Sequence, residues 1–294
     1  MDARERDVVI VTLDSCRYDT ALRASTPNLD GLGRLVEAET CGTYTLPAHV
    51  GFFGGQFPRP LDGVYPFAGR RLAALWRSAA ARSTPGSVAV AFEGPTLLDH
   101  YRARGFRIVG AGGVSFFDPD EPGNWLPGLF DEFLYFGRPN RATGDRVRDR
   151  ADSLTLSHVG LLADACASSR RFLLFLNCPS THIPYTTPRS PLTGRTARVL
   201  RSLYALHDRK VFGPAISAED TAILLDLQRK ALEWADERLG ELFDLLRPRE
   251  PLVVVCADHG EEFGEGGRYG HGHPHPTVMT VPLWCGLLSK AAGR

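Results

Sequence analysis

The chain has 294 residues, of which 43% are hydrophobic and 23% are charged. This composition is typical of a globular protein and excludes a disordered or fibrous chain. Basic and acidic residues both number 34, so the chain lacks the basic excess with which proteins usually bind nucleic acids or anionic membranes. It also lacks a secretory signal, a CxxC pair and any apolar run near the ~20 residues that cross a bilayer, and we therefore expect a cytoplasmic protein with reduced thiols.

In chain order, short apolar runs rich in β-branched residues alternate with segments of helical periodicity. The first run, Val8–Leu13, predicts a strand, and residues 29–38 predict a helix after it. Further strands are predicted at residues 87–92, 172–176, 252–256 and 281–288, and further helices at residues 71–81, 96–104, 146–168 and 197–206. The longest predicted helix covers Ala218–Leu246, where Ser217 and Asp220 resemble a capping box.

Strands that alternate with helices indicate an α/β fold, in which a mostly parallel central sheet is sandwiched by helices. Uninterrupted apolar runs such as Val8–Leu13 are typical of central strands that are covered on both faces. The chain contains no internal repeat and no low-complexity linker, so we expect a single domain over residues 1–294.

Polar residues that could carry chemistry follow three of the strand runs. These residues are Asp14 after the first run, Asn177 and His182 after residues 172–176, and Asp258 and His259 after residues 252–256. Because ligands bind beyond the carboxyl ends of strands in open parallel sheets, we expect these side chains to share one sheet edge. One strand-terminal Asp is most often a cap or turn residue, but three such strand ends together favour a functional site.

The segment TYTLPAH at residues 43–49 predicts the start of a helix, because Pro47 fits a first helical turn. Thr45 is then expected at or next to the N-cap, where it could simply cap the helix. The same position also suits a nucleophile, since the free N–H groups and the dipole of a helix N-terminus favour a phosphoryl or sulfuryl group.

The Gly- and Glu-rich segment at residues 260–276 contains three histidines at alternate positions, His271, His273 and His275. Such a triplet indicates either a ligand cluster or a solvated loop. For His273 and His275 we favour the solvated loop. His271 is the stronger site candidate, because the glycines on both sides of it allow the backbone to approach a ligand closely.

Five sequence blocks, in this order, resemble the alkaline phosphatase/sulfatase superfamily. They are VVIVTLDSCRYD, TPNLDGL, TYTLPAHVGFFGGQFP, NCPSTHIPY, and ADHGEEFGEGGRYGHG followed by VPLWCG. Together the blocks span nearly the whole chain. The resemblance implies an alkaline-phosphatase-like α/β sandwich around a mostly parallel sheet.

The resemblance also implies roles for individual residues. The implied metal ligands are Asp14, Thr45, Asp258 and His259, with Thr45 also the nucleophile. His182 and His271 would contact the transferred group or its leaving oxygen. Arg17 falls within the first block, where it could equally pair with Asp19 or another carboxylate.

Two departures from the sulfatase pattern indicate which branch of the superfamily the chain resembles. Sulfatases carry Cys-x-Pro-Ser-Arg, whose Cys becomes formylglycine, whereas this chain has TLPAH at residues 45–49. The chain therefore resembles the Thr-nucleophile branch of phosphodiesterases and phosphoethanolamine or glycerophosphate transferases. Sulfatases also use oxygen ligands suited to calcium, and the imidazole of His259 instead favours zinc or manganese.

A second metal site stays open at this point. Two-zinc members use an Asp-x-x-x-His element, and the matching register here holds Cys178 and His182. A second site could combine His182, His271 and either Cys178 or His273. The chain ends soon after VPLWCG, so we expect the C-terminal subdomain of many sulfatases to be absent.

These observations predict a metal-dependent hydrolase that cleaves a small-molecule phosphoester, or a related phosphoryl or sulfuryl ester, through Thr45 and a covalent intermediate. Two alternatives stay open, a soluble phosphoryl-group transferase or tailoring enzyme and a non-catalytic metal-binding protein. Neither nucleic acid nor membrane is expected as a partner, and the pattern assigns neither the substrate nor the oligomeric state. Residues 110–127 and the Arg-rich residues 138–150 could line the pocket, although solvated loops are the simpler interpretation.

Overall fold

The computed structural model describes residues 6–55, 94–137, 154–190, 192–209 and 216–289. Several predictions lie outside these residues, namely the strand at 87–92, the helix at 71–81, the Arg-rich stretch at 138–150 and the first part of the helix at 146–168.

A seven-stranded sheet forms the centre of the described fold, with the strand order β2-β9-β6-β1-β5-β3-β4. Its strands are β1 Val8–Leu13, β2 Val36–Glu39, β3 Arg107–Gly112, β4 Glu132–Tyr135, β5 Phe172–Cys178, β6 Leu252–Cys256 and β9 Thr280–Leu287. A separate two-stranded ribbon consists of β7 Glu262–Phe263 and β8 Tyr269–Gly270. Within the seven-stranded sheet, strand β9 pairs antiparallel with β6 and β2, and the other neighbouring pairs are parallel. The predicted mostly parallel α/β sheet is confirmed.

The helices lie between these strands along the chain. They are α1 Tyr18–Ala21, α2 Pro27–Asp30, α3 Thr45–Gly54, α4 Leu97–Arg102, α5 Val159–Ala167, α6 Gly194–Arg209, α7 Ala218–Leu246 and α8 Pro276–Met279. Helix α7 begins and ends as predicted, and Ser217 accepts a hydrogen bond from the N–H of Asp220, 3.1 Å away. No helix in the described residues has both the length and the apolarity to cross a membrane.

Strand β1 is buried on both faces, and this explains its uninterrupted apolar sequence. Val9 and Val11 belong to the hydrophobic cluster that contains Leu239 of α7, whereas Val8 belongs to the cluster that contains Phe53 of α3 and Phe175. Each such side chain stabilises the fold by roughly 1.5–3 kcal/mol when fully buried. The carboxyl ends of the central strands are thereby fixed between two layers of helices.

The helix predicted at residues 29–38 is wrong beyond Asp30. The chain forms the short helix α2 and then strand β2, which pairs with β9 at the sheet edge. Strand β2 alternates apolar and polar residues (VEAE), but it has only four residues, three of them exposed, and so short an alternation does not distinguish a strand from a helix. Backbone pairing with β9, rather than local periodicity, decides the conformation of this segment.

Sequence periodicity also missed β3 and β4. Strand β3 has the sequence RIVGAG, whose glycines are untypical of strands. A Cβ atom at Gly110 would lie 2.5 Å from the ring of Phe133 and 2.6 Å from that of Phe130, so the packed aromatic rings exclude a larger side chain there. The predicted loop at residues 110–127 consequently begins inside a strand.

Candidate functional site

Two parallel strands bring the predicted metal ligands Asp14 and Asp258 together. Thr12 of β1 pairs in register with Cys256 of β6, and each Asp follows two residues later. Both aspartates are fully buried, as is His259, which follows Asp258. The prediction that these strand ends share one sheet edge is therefore confirmed.

The Asp258 carboxylate is held through one of its two oxygens. Oδ1 accepts hydrogen bonds from the backbone N–H of Ser15 at 3.2 Å and of His259 at 2.9 Å. Oδ2 is buried and has no hydrogen-bond partner among the described residues. Burying a carboxylate oxygen without a hydrogen-bond partner costs free energy unless a cation lies close to it.

His259 likewise presents one nitrogen to the cluster. Its Nδ1 lies 2.9 Å from the carbonyl oxygen of Gly260, which can only accept, so Nδ1 carries the proton. Nε2 then carries the lone pair, and it is buried without a hydrogen-bond partner in the part of the chain that the structure describes. It lies 3.6 Å from Asp14 Oδ1 and 3.6 Å from Asp258 Oδ2.

These three residues form a donor set that fits a divalent metal. One ligand atom from each lies within 4.8 Å of the others. Burial and the charge of Asp14 raise the pKa of Asp258 to about 7, and a cation would offset both effects. Two carboxylates with one imidazole suit zinc or manganese better than calcium.

Thr45 lies at the edge of the same cluster. It is the first residue of α3, directly after the N-cap residue Tyr44, as predicted. Its Oγ1 lies 3.5 Å from Asp14 Oδ2, and Asn177 Nδ2 donates to that same oxygen at 3.3 Å. The Thr45 hydroxyl therefore lies beside the acidic cluster, at the N-terminus of α3.

The two histidines predicted to contact the substrate lie beside this cluster. The ring of His271 lies 4.4 Å from that of His259 and 5.2 Å from that of His182, centroid to centroid. Nδ1 of His182 is 2.9 Å from the carbonyl oxygen of Ile183. A small cavity beside His182 is lined in part by Gly113 of the predicted loop at residues 110–127, but not by the residues of the metal cluster.

His273 and His275 lie in a loop, as expected, but the loop is only partly solvated. Nε2 of His273 lies 2.5 Å from the buried carboxylate of Glu262, and both His side chains are only partly exposed. His275 is the N-cap of α8, and its ring accepts a hydrogen bond from the N–H of Thr277. Both residues brace the loop that carries His271.

A second metal site does not form from the predicted residues. Asp14, Asp258 and His259 form the one group of three or more potential His, Cys, Asp or Glu ligands found within the described ranges. Cys178 is fully buried, and burial raises the pKa of its thiol. Nε2 of His273 lies within hydrogen-bond distance of the Glu262 carboxylate.

Arg17 forms ion pairs, which is the alternative that the sequence left open. Its guanidinium makes two 2.8 Å hydrogen bonds to Asp19 and lies 2.6 Å from Glu265. It also donates to the backbone carbonyl of Glu261 at 3.1 Å. Arg17 therefore fastens the loop after β6 to the segment after β1.

The sequence pattern did not indicate His49 as a site residue, although it lies within the block TYTLPAHVGFFGGQFP. Nδ1 of His49 is 2.6 Å from the carbonyl oxygen of Thr45, and Nε2 is 3.1 Å from Thr12 Oγ1. Burial lowers the pKa of His49 to about 4, so the ring is neutral. Its spacing of four residues from Thr45 places it one helical turn later, a signal that could have indicated this contact.

Comparison with known proteins gives the family. The sequence model of the Sulfatase family matches residues 6–282. No curated protein matches the chain. Phosphonate monoester hydrolase of Agrobacterium radiobacter is 16% identical with a TM-score of 0.65, over 96% of this chain and 68% of that one.

Two further solved structures are similar in fold. The zinc complex of the C-terminal periplasmic domain of EptC from Escherichia coli is 13% identical with a TM-score of 0.59, over 96% of this chain and 72% of that one. Lipooligosaccharide phosphoethanolamine transferase A from Neisseria meningitidis, an integral membrane protein, is 18% identical with a TM-score of 0.57, over 97% of this chain and 48% of that one. The fold is alkaline-phosphatase-like, because a protein in the alkaline phosphatase superfamily from Vibrio parahaemolyticus shares it as well, at 16% identity with a TM-score of 0.56, over 95% of this chain and 59% of that one. With the family model matched over most of its length, the chain belongs to the sulfatase family.

Proposed function

We propose that this protein is a metal-dependent phosphoester hydrolase with Thr45 as its nucleophile. One observation carries the proposal. The Thr45 hydroxyl, at a helix N-terminus, lies 3.5 Å from Asp14 in a buried cluster where Asp258 Oδ2 and His259 Nε2 lack hydrogen-bond partners among the described residues. A hydroxyl beside such a cluster is the arrangement that covalent phosphoryl transfer needs.

The residues of the cluster would hold the metal and present the nucleophile. A divalent cation bound by Asp14, Asp258 and His259 would lower the pKa of a neighbouring hydroxyl and withdraw charge from a substrate oxygen. The N–H groups in the first turn of α3 have no carbonyl of their own helix to bind. They would therefore donate to the oxygens of a phosphoryl group held in front of Thr45.

The reaction would proceed in two balanced steps. The Thr45 hydroxyl loses its proton to solvent, its oxygen forms a bond to phosphorus while the bond to the leaving oxygen breaks, and the leaving oxygen takes up a proton from the imidazolium form of His182 or His271. Water then attacks the phosphothreonine and gives one proton to the same imidazole, which restores the imidazolium. The bond from phosphorus to the Thr45 oxygen breaks, phosphate leaves, and the Thr45 oxygen regains its proton from solvent. Both steps need an imidazole close to the cluster, and the short ring distances of His271 to His259 and to His182 support these roles.

The experiment compares the wild type with Thr45→Ala and Thr45→Ser on p-nitrophenyl phosphate and bis-p-nitrophenyl phosphate, with zinc or manganese added. Thr45→Ala should abolish turnover, and Thr45→Ser should retain part of it because it keeps a hydroxyl. Thermal unfolding of all three proteins controls for folding, and intact mass after a quench should show a phosphorylated wild type. Substantial turnover by folded Thr45→Ala refutes the proposal.

A phosphoryl-group transferase is the second candidate, because the protein from Neisseria meningitidis with a similar fold is a phosphoethanolamine transferase. The same phosphothreonine would then pass its group to an acceptor alcohol or amine instead of water. Product analysis with and without an added alcohol distinguishes the two candidates. A product that carries the alcohol, formed faster than free phosphate, favours the transferase.

A further inference from the structure

We propose that Tyr185 is a positioning residue that acts through Glu261, fixing the proton of His271 on Nδ1 and holding that imidazole beside the metal cluster. The inference rests on the proposed function for its catalytic consequence. It concerns a chain of contacts from Tyr185 to Glu261 to His271 that links two segments far apart in the sequence.

The Glu261 carboxylate is the centre of this chain. It is 1% exposed, and its Oε1 lies 2.9 Å from Nδ1 of His271. Its Oε2 accepts a hydrogen bond from the hydroxyl of Tyr185 at 3.0 Å. The backbone of Glu261 is fixed as well, because its N–H donates to Thr277 and its carbonyl accepts from Arg17. A carboxylate held at both oxygens and at both backbone groups has one orientation.

A fixed carboxylate determines the tautomer of its histidine. A carboxylate at Oε1 accepts, so Nδ1 of His271 carries the proton and Nε2 carries the lone pair. The same contact prevents the ring from turning over, which would exchange nitrogen and carbon positions. The ring of His271 lies 4.4 Å from that of His259. Because Nδ1 is bound to Glu261, His271 would exchange a proton with a substrate through Nε2.

Tyr185 is held firmly enough to fix the carboxylate. It is fully buried, its ring meets Phe263 edge-on at 6.0 Å, and its backbone adopts φ +57°, which is rare for a bulky residue. Burial and the charge of Glu261 raise the pKa of Tyr185 well above its ordinary value, so the hydroxyl stays protonated and donates. A backbone held in a costly conformation is typical of functional segments.

This geometry accounts for the spacing of His182 and Tyr185 in the HIPY element at residues 182–185. His182 begins the element beside the cluster, and Tyr185 ends it at Glu261. Glu261 in turn holds His271, whose ring lies 5.2 Å from that of His182. Residues 182–185 thereby fix the positions of His182 and His271 relative to each other.

The kinetic test uses Tyr185→Phe, Glu261→Gln and the double variant, with Tyr204→Phe as the matched control. Tyr204 also donates to the 182–185 segment, at the Ile183 carbonyl 3.3 Å away. We expect kcat to fall about 10-fold in Tyr185→Phe and about 100-fold in Glu261→Gln, the range for residues that orient a site ligand, with KM changing less than kcat. Tyr204→Phe should stay near the wild type.

The double variant distinguishes positioning from simple structural support. If Tyr185 acts through Glu261, the two losses are not additive, and the double variant is no slower than Glu261→Gln alone. Two independent structural defects would instead multiply to a loss of about 1000-fold. Multiplying losses overturn the proposal, as does a Tyr185→Phe protein with wild-type kcat.

A spectroscopic readout tests the same idea without turnover. In protein labelled with ¹⁵N-histidine, the His271 signals, identified by their loss in His271→Gln, should show the proton on Nδ1. In Glu261→Gln the Tyr185 hydroxyl should hold the amide oxygen, turn the NH2 group to Nδ1 and move the proton to Nε2. The double variant frees that amide to turn and should restore part of the Nδ1–H form.

The outcomes of the two measurements are separable. A wild-type His271 protonated on Nε2 but not on Nδ1, or His271 signals unchanged by Glu261→Gln, overturns the positioning role. Wild-type protein without phosphoesterase activity contradicts the proposed function alone, because the tautomer measurement still decides the role of Tyr185 and Glu261.

Discussion

The backbone N–H of Ser15 donates a hydrogen bond to Oδ1 of Asp258 across 3.2 Å. This contact joins the residues that follow two neighbouring parallel strands, β1 and β6. Ser15 adopts φ +60°, and the resulting turn directs its N–H at the carboxylate. The Asp258 side chain is therefore oriented before any metal binds, with Oδ2 left for the cluster.

Asp258→Asn should abolish metal binding while leaving the fold intact. The amide oxygen can still accept from Ser15 and His259, but the charge at Oδ2 is lost. We expect zinc or manganese affinity to fall by more than the ~10–100-fold typical of residues that only support ligands. In chelator, the thermal midpoint should equal or exceed that of the wild type, because the repulsion between buried Asp14 and Asp258 is removed. Retention of stoichiometric metal after buffer exchange contradicts the assignment.

The buried imidazole of His49 should make the free energy of unfolding depend on pH. Burial lowers its pKa from 6.5 to about 4 in the folded protein. Between these values the unfolded chain binds the extra proton, so stability is lost as pH falls from about 6.5 towards 4. One such proton contributes a slope of up to ~1.4 kcal/mol per pH unit.

His49→Gln isolates this contribution, because it keeps polar atoms that face Thr45 and Thr12. Urea unfolding across this pH range, with chelator present to remove metal effects, should show a shallower slope for the variant. His100→Gln is the matched control, since His100 is exposed in α4. Equal slopes in the wild type and His49→Gln would show that His49 is not the titrating group.

Much of the site follows from the sequence, because strand-terminal residues of a parallel sheet share an edge whatever the details of packing. Asp14, Asp258 and His259 meet for that reason. Partners that depend on how loops close could not be predicted in the same way. Glu261 contacts Tyr185 across 76 residues of sequence, and that contact depends on the backbone turn at Tyr185.

Elements whose conformation depends on the local sequence were predicted correctly, whereas elements that depend on tertiary contacts were not. Helix α7 is amphipathic and capped, so its sequence alone defines its bounds. Strand β2 depends on its partner β9, and β3 contains a glycine that the rings of Phe130 and Phe133 require. Neither cause lies within the segment itself, and periodicity therefore could not indicate them.

Arg17→Lys should destabilise the protein although the charge is kept. The guanidinium of Arg17 bonds Asp19 through two nitrogens, contacts Glu265 and donates to the Glu261 carbonyl, and a single ammonium cannot replace this planar set. We expect a loss of about 2–3 kcal/mol in the free energy of unfolding, the scale of buried hydrogen bonds to charged groups.

Arg229→Lys serves as the control for that substitution. Arg229 also bonds two acidic residues, but on the partly exposed surface of α7. Its replacement should change the unfolding free energy by less than ~1 kcal/mol. Similar losses in both variants would show that Arg17 does not fasten the two segments together.

Asp236→Ala should destabilise the contact between α2 and α7 without affecting the metal cluster. The buried carboxylate of Asp236 accepts from the backbone N–H of Leu29 at 2.8 Å and from Nδ2 of Asn28 at 2.8 Å. Its loss leaves the buried N–H of Leu29 unpaired and leaves Nδ2 of Asn28 with only the backbone carbonyl of residue 236, 3.2 Å away. We expect the free energy of unfolding in urea to fall by about 2–3 kcal/mol. Asp244→Ala, at an exposed ion pair on the same helix, should cost less than ~1 kcal/mol. Because neither residue contacts Asp14, Asp258 or His259, zinc affinity should match the wild type in both variants, and a loss of zinc in Asp236→Ala would contradict the separation of the two regions.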